Sequence, residues 1–119
     1  MKAVLIFFLL VIVNISLLAG SDNCAASSAS WKSEKEAIDA LEKADFHFSE
    51  SFKNPSESWL ISASFYSCDG QSGYLVIHSQ KKDIIHSSVP MIVWQDLKNA
   101  NSKGGFYNFY IRDKYAFKH

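Results

Sequence analysis

The chain has 119 residues, with 12 Lys and Arg against 12 Asp and Glu, so its formal net charge is zero. This balance gives no electrostatic reason to expect nucleic acid as a partner. Once an export signal of about twenty residues is set aside, fewer than about a hundred remain, which suffice for one hydrophobic core but not for two.

Residues 1–21 have the layout of a secretory signal peptide. Lys2 supplies a short positive start, Ala3 to Val13 is an unbroken apolar run, and Ala19-Gly20-Ser21 offers small residues to a peptidase. An uncleaved membrane anchor is the alternative, but Asn14 interrupts a run already short of the ~20 residues that a spanning helix needs. We therefore expect a secreted or periplasmic protein with no stable membrane insertion after cleavage.

The chain contains two cysteines, Cys24 and Cys68. Export places them where disulfides persist, so retention of Cys24 predicts a Cys24–Cys68 bridge. Such a bridge would stabilise the fold by about 3 to 4 kcal/mol in the chain-entropy model. Cleavage after Ala26 is the alternative, and it would leave Cys68 as a lone thiol.

Residues 22–57 are predicted to form an N-terminal tail and an amphipathic helix. Ser33 followed by Glu36 is a capping box that opens a helix over Glu34 to Ala44. Its apolar face consists of three residues: Ala37, Ile38 and Leu41. After the helix, aromatic spacing suits an extended, half-buried segment that contains Phe46, Phe48 and Phe52.

Three antiparallel strands are predicted next. Trp59 to Ser67 carries apolar residues on alternate positions and is followed by turn residues that include Asp69-Gly70. Tyr74 to Ser79 is the second strand. Asp83 to Ser88 returns as the third after a second turn.

Helices are predicted for most of the remaining chain. Val89-Pro90 ends the third strand and opens a helix over Met91 to Ala100. Gly104-Gly105 allows a sharp re-entry into a short second helix, whose bulky residues recur at helical spacing: Phe106, Tyr107, Tyr110 and Ile111. Tyr115 to Phe117 alternates and could add a final edge strand. The prediction is an α+β fold: a three-stranded antiparallel meander packed by a C-terminal helix and a short second helix, with an added N-terminal helix.

The C-terminal half carries an ordered series of short motifs: Val89-Pro90, Asn99-Ala100, Ser102-Lys103-Gly104, Phe106-Tyr107-Asn108, Ile111-Arg112 and Tyr115-Ala116-Phe117. In order and spacing the series resembles the KTSC domain, a small module at the C-terminus of some lysyl-tRNA synthetases and also a free-standing bacterial protein. The resemblance covers Ser58 to Phe117, so residues 58–119 are predicted to be a KTSC-like domain.

This resemblance implies nucleic-acid binding as one role, because RNA binding has been suggested for the family from its synthetase context. The family usually carries a Tyr-x-Tyr pair in the third strand, where this chain has Ile84 and His86. Loss of both rings removes a base-stacking platform. Export removes the obvious RNA as well.

No motif predicts catalysis, a metal or a cofactor. The histidines and cysteines match no zinc spacing, and His78 and His86 would face opposite sides of the sheet if their connecting turn is even. There is no G-x-S-x-G and no phosphate loop. Ser67-Cys68-Asp69 imitates a nucleophile site, but a disulfide explains Cys68 more simply. A small hydrolase or nuclease that uses the two histidines is a third reading.

Aromatic, polar and basic groups near the end of the chain are the candidate binding residues: His86, Tyr107, Asn108, Arg112, Lys114 and Tyr115. Rings interleaved with cations suit a phosphate, a carboxylate or an acidic partner surface. Alternatively, Tyr107 packs on the sheet, Asn108 braces backbone and Arg112 bonds carbonyls at a helix end.

From these features we expect a non-enzymatic binding module of the cell envelope whose partner is another protein. A nucleic-acid-binding domain is the alternative. A small inhibitor or immunity-type protein is the second alternative.

Overall fold

A computed structural model describes residues 31–56 and 58–117. One antiparallel sheet has the strand order β1-β2-β3-β4, with β1 at Phe48–Lys53, β2 at Leu60–Ser67, β3 at Ser72–Ser79 and β4 at Asp83–Pro90. Three helices flank it: α1 at Glu34–Lys43, α2 at Met91–Asn99 and α3 at Lys103–Phe106, which continues into a π-helical turn at Tyr107–Ile111. The α+β class is therefore confirmed.

The sheet has four strands rather than the predicted three. The additional strand is β1, which forms from the predicted extended segment and pairs with β2 from Phe48 opposite Ser67 to Lys53 opposite Ser62. Its inner face carries Phe48 and Phe52 with the charged Glu50 between them. Because a carboxylate interrupts the apolar alternation, the hydrophobic pattern alone did not identify β1 as a strand.

The final edge strand over Tyr115 to Phe117 is not formed. The carbonyl oxygen of Tyr115 lies 2.7 Å from Nδ1 of His86, and the ring of Phe117 stacks on Trp31 with centroids 6.1 Å apart. Side-chain contacts, rather than a ladder of backbone hydrogen bonds, hold this segment against the sheet.

Helices cover the two opposite faces of the sheet. On one face, α1 packs through Ala37, Ile38 and Leu41 against Val76 and Ile85. On the other, α2 and the π-helical turn pack on a larger core that includes these buried residues: Ala63, Phe65, Leu75, Ile77, Trp94 and Ile111. Because successive side chains of a strand point to opposite faces, burial of both faces makes β3 apolar from Leu75 to Ile77.

The helix α1 forms as predicted. The hydroxyl oxygen of Ser33 accepts a hydrogen bond from the backbone N–H of Glu36 at 3.1 Å. Trp31 then folds over the apolar face and meets Tyr74 edge-on, with centroids 5.6 Å apart. The N-terminal helix is thus packed on the sheet.

Trp94 fastens α2 to the edge of the sheet. Its fully buried ring stacks between Phe52 and Phe65, each with its centroid 5.4 Å away. Its indole Nε1 donates to Oε1 of Glu50 at 2.7 Å, and Nζ of Lys98 donates to the same oxygen at 2.8 Å. The inward carboxylate of β1 therefore has partners from two turns of α2.

Several predictions fall on residues outside the described ranges: the signal peptide over residues 1–21, the tail over residues 22–30, and Cys24. The Cys24–Cys68 disulfide therefore stays a prediction. In the described part of the chain, no helix is both long enough and apolar enough to cross a membrane.

Replacement of Glu50 by Gln is expected to destabilise the fold by about 1 kcal/mol, because a half-exposed charged acceptor for two donors is lost. These two hydrogen bonds, first from Lys98 and then from Trp94, also hold the pKa of Glu50 below its ordinary value. The stabilisation of the fold by ionised Glu50 is therefore present above pH 4.5 and is lost as the pH falls through the lowered pKa of the folded state. Urea unfolding at several pH values measures both effects. Glu42→Gln, the same change on exposed α1, is the control and should leave the midpoint unchanged.

Candidate functional site

The Ser102-Lys103-Gly104 motif builds the turn between α2 and α3. The hydroxyl oxygen of Ser102 accepts from the backbone N–H of Gly105 at 3.1 Å and so caps α3. Gly104 is buried against Trp59, where a Cβ atom would lie 2.7 Å from the indole Nε1. A side chain at this position would push the indole aside, so the motif requires a glycine for packing.

Lys103 has a structural role as well. Its Nζ donates to the carbonyl oxygens of Lys98 and Ala100, each at 2.9 Å, and lies 5.5 Å from the ring centroid of Phe52. These bonds satisfy carbonyls at the C-terminus of α2, which have no partner within the helix. The cation is consequently occupied within the fold.

The π-helical turn determines which residues reach solvent after α3. The backbone N–H of Arg112 donates to the carbonyl oxygen of Tyr107 at 2.9 Å, a five-residue separation. Tyr107 and Ile111 are both buried, while the three residues between them are exposed. The wider turn thus presents Asn108, Phe109 and Tyr110 together.

Tyr107 and His86 form a buried hydrogen-bonded pair. The phenol oxygen lies 2.7 Å from Nε2 of His86, whose Nδ1 lies 2.7 Å from the carbonyl oxygen of Tyr115. Because a carbonyl only accepts, Nδ1 carries the proton and Nε2 accepts from the phenol. His86 therefore bonds to two other predicted site residues, Tyr107 and Tyr115.

Burial keeps both members of this pair uncharged near neutral pH. It lowers the pKa of His86, against a smaller opposing effect of the hydrogen bond to Tyr115. Burial also raises the pKa of Tyr107 to about 12. Since the ring nitrogens of His86 already have partners, the pair braces the C-terminal segment against β4.

An aromatic ridge lies on the outer side of the closing helix. It consists of Phe106, Phe109 and Tyr110, with centroids 4.6 Å apart for Phe106–Tyr110 and 4.8 Å for Phe109–Tyr110. Phe109 is 71% exposed and Tyr110 is 49% exposed. Phe109 was not among the predicted binding residues, although even regular helical spacing places it opposite Tyr107 and Ile111. Tyr110, which that spacing groups with the buried residues, is turned toward solvent by the π-helical turn.

Beside the ridge opens a side cleft of about 150 Å³, lined by Trp59, Ile84, Tyr107, Asn108 and Arg112. The cleft brings together three of the predicted site residues, and it adds Trp59 and Ile84, which were not predicted to bind. Lys114 is exposed and does not line the cleft. Among the described residues, the side chains of Asn108 and Arg112 have neither a hydrogen bond nor an ion pair.

Two larger hollows lie on the α1 side of the sheet. One, of about 250 Å³, includes Asp69, whose Oδ1 already accepts from the backbone N–H groups of Gln71 and Ser72 at 2.8 and 3.1 Å. The other, of about 310 Å³, is bordered by the Lys35–Asp39 ion pair and by Asp83. In both hollows the carboxylates already have partners, whereas Lys82 at the second has neither a side-chain hydrogen bond nor an ion pair among the described residues. We favour the side cleft because it is the one of the three that brings together predicted site residues.

His78 lies away from this site. Its Nδ1 is 3.0 Å from Oδ1 of Asp83, and strand alternation places it on the α1 face, opposite His86. Across the described residues, no group of three His, Cys, Asp or Glu side chains could hold a metal ion.

Taken together, the chain forms an α+β domain in which an antiparallel sheet lies between helices and a short aromatic helix closes the core. Residues 75–115, from β3 to Tyr115, match the family model of the KTSC domain. The match confirms the family predicted from the motif order. Comparisons with curated proteins and with solved structures gave no significant match.

Because His86 is buried in its pair with Tyr107, we expect the stability of the fold to depend on pH below neutrality. Because the pKa of His86 is lowered from the ordinary 6.5 on folding, the unfolded chain binds this proton first. The free energy of unfolding should therefore fall as the pH drops from 6.5 toward the folded pKa. Urea unfolding between about pH 5 and 7 measures the slope.

His86→Gln should flatten this slope and should also destabilise the fold at pH 7 by about 1–3 kcal/mol, because a buried partner of Tyr107 is lost. His78→Gln is the matched control, since it removes a histidine on the other face of the sheet. An unchanged slope in His86→Gln would assign the pH dependence to other groups.

Proposed function

We propose that the chain is an exported, non-enzymatic binding module of the cell envelope and that its partner is another protein. The contact surface in this proposal is the aromatic ridge together with the rim of the side cleft. The observation that carries the proposal is the exposure of Phe109 and Tyr110, 71% and 49%, in the middle of the π-helical turn.

Protein partners favour such a surface because large rings bury much apolar area on association. Aromatic and arginine side chains are enriched where interfaces draw most of their binding energy. The ridge offers two exposed rings, and Arg112, Asp113 and Lys114 lie next to it in the chain, all exposed and together of net charge plus one. An apolar centre with a basic rim suits a partner whose own rim is acidic.

The signal-peptide layout of residues 1–21 supports export. In an envelope compartment, protein surfaces are available partners whereas cytoplasmic RNA is not. The proposed export therefore favours a protein as the partner, as the aromatic ridge does.

The distribution of cations gives little support to nucleic acid. Lys98 bonds to Glu50 at 2.8 Å, and Lys103 bonds to backbone carbonyls, so two bases of the C-terminal segment are held within the fold. Phosphate contacts need several free cations along one surface. We therefore keep a protein as the proposed partner.

The Ser67-Cys68-Asp69 sequence supports a non-enzymatic reading. The Ser67 hydroxyl is buried and lies 2.7 Å from the carbonyl oxygen of Ser72, to which it donates. Oδ1 of Asp69 accepts from two backbone N–H groups across the same turn. These contacts explain both polar residues as braces of the β2–β3 turn.

Phe109→Ser is expected to reduce capture of the partner from envelope extract by at least about tenfold, because a central exposed ring is lost. Quantified crosslinking with the purified protein as bait measures the loss. Ile92→Ser is the matched control, since Ile92 is 59% exposed on α2 and outside the ridge. Equal capture by both variants would contradict the proposal, and capture that nuclease treatment abolishes would favour nucleic acid.

The exported protein is also expected to carry the Cys24–Cys68 disulfide. Intact mass after thiol alkylation should show no label without reductant and a label on both cysteines with it. The same spectrum locates the cleavage site. A label on Cys68 without reductant would instead indicate cleavage beyond Cys24 and a lone thiol.

A further inference from the structure

The side cleft combines an apolar interior with a polar rim. Ile84 of β4 lies on the sheet side of the cleft, Tyr107 of the π-helical turn packs against the sheet, and the half-buried indole of Trp59 forms a wall. Trp59 is fixed by its edge-on contact with Tyr107, with centroids 5.4 Å apart. Asn108 and Arg112 contribute exposed polar side chains on the helix side. The cleft is therefore preformed on packed elements.

Its hydrogen-bonding groups select an anion. The guanidinium of Arg112 presents paired N–H donors that match the two oxygens of a carboxylate, and the Asn108 amide adds a further donor. Within the described part of the chain no carboxylate forms an ion pair with Arg112. The phenol of Tyr107 is committed to His86 at 2.7 Å, so recognition of the ligand falls to Arg112 and Asn108.

The charge and size of the cleft favour a monoanion on a short apolar stem. Among the residues that the structure describes, Arg112 is the one cation that lines it, and the side chains of Trp59 and Ile84 form apolar walls. A phosphate dianion would leave charge unpaired against an indole and an isoleucine, which is costly. The volume of about 150 Å³ corresponds to roughly five waters at about 30 Å³ each, which is the size of a side-chain fragment.

We propose that the side cleft binds a carboxylate group on a short aliphatic stem, with Arg112 and Asn108 holding the carboxylate and Trp59 covering the stem. Such a group occurs in the acidic side chains of a peptide and in small free acids. The proposal deepens the proposed function where the source is a peptide, but carboxylate binding itself is measured without any protein partner.

Butyrate and its uncharged isostere butyramide are the probes. Titration into the ¹⁵N-labelled protein is followed at the indole N–H signal of Trp59, assigned by Trp59→Phe among the three tryptophans. Butyrate should shift this signal along a saturable curve, whereas butyramide should not. Inorganic phosphate, titrated in the same way, should bind more weakly than butyrate. Butyramide binding equal to butyrate, or tighter phosphate binding, would overturn the carboxylate assignment.

Arg112→Gln should weaken butyrate binding by at least about tenfold, since a charge-assisted pair of hydrogen bonds is lost. Lys114→Gln is the matched control: it removes a nearby exposed cation outside the cleft and should change the affinity by less than about twofold. Ile84→Phe, which fills the cleft without a charge change, should also abolish binding while the dispersed spectrum reports a folded chain. Equal weakening by Arg112→Gln and Lys114→Gln would mean general charge attraction and would overturn the site.

A blocked Gly-Glu-Gly peptide and its Gly-Gln-Gly counterpart distinguish the two sources. Tighter binding of the Glu peptide than of butyrate supports an acidic peptide segment as the ligand, and binding of butyrate alone supports a free acid. If neither binds while Phe109→Ser still loses its captured protein, the carboxylate site is wrong and the proposed function stands. If both bind and capture is insensitive to Phe109→Ser, the carboxylate site stands and the proposed function fails.

Discussion

The hydrogen bond between Tyr107 and His86 is the constraint on which the closing helix depends. A phenol can enter an apolar core only if its hydroxyl finds a partner, since an unpaired buried polar group costs about 1–3 kcal/mol. His86 supplies that partner from β4 at 2.7 Å and uses its other nitrogen to hold Tyr115. Tyr107 is thereby fixed inward, and the π-helical turn brings Ile111 inward after it. Exposure of the residues between them follows from this inward pairing.

The rigidity of that surface comes from the other elements of the domain. Trp94 joins α2 to β1 and β2 through two ring stacks and the bond to Glu50. On the opposite face, α1 covers the sheet through its own apolar stripe. A sheet packed on both faces has little freedom to flex. The aromatic ridge therefore stands on a fixed base, which reduces the ordering cost of binding a partner.

The sequence predicts those parts of the fold in which one rule dominates. Periodicity and capping identify α1, and proline chemistry places the start of α2 at Met91. Apolar alternation fails to identify β1, because its inward Glu50 accepts hydrogen bonds from Trp94 and Lys98 instead of contributing an apolar side chain to the core. Regular spacing fails again at Tyr110, which it groups with Tyr107 and Ile111 but which the wider π-helical turn leaves 49% exposed. Arg112 and Asn108 could be named from sequence, but Trp59 joins them through a packing against Gly104 that spacing does not reveal.

The motif residues that this chain shares with the KTSC domain explain the architecture of the matched region rather than a ligand. Ser102 caps α3, Lys103 satisfies the end of α2, and Gly104 admits the Trp59 indole. Each of these residues completes a bond or a packing contact within the chain. Recognition must then depend on side chains that the fold leaves unpaired, and in the matched region Asn108 and Arg112 are such groups. The family match therefore accounts for the backbone and packing around the side cleft, while the proposed ligand is argued from the residues that line it.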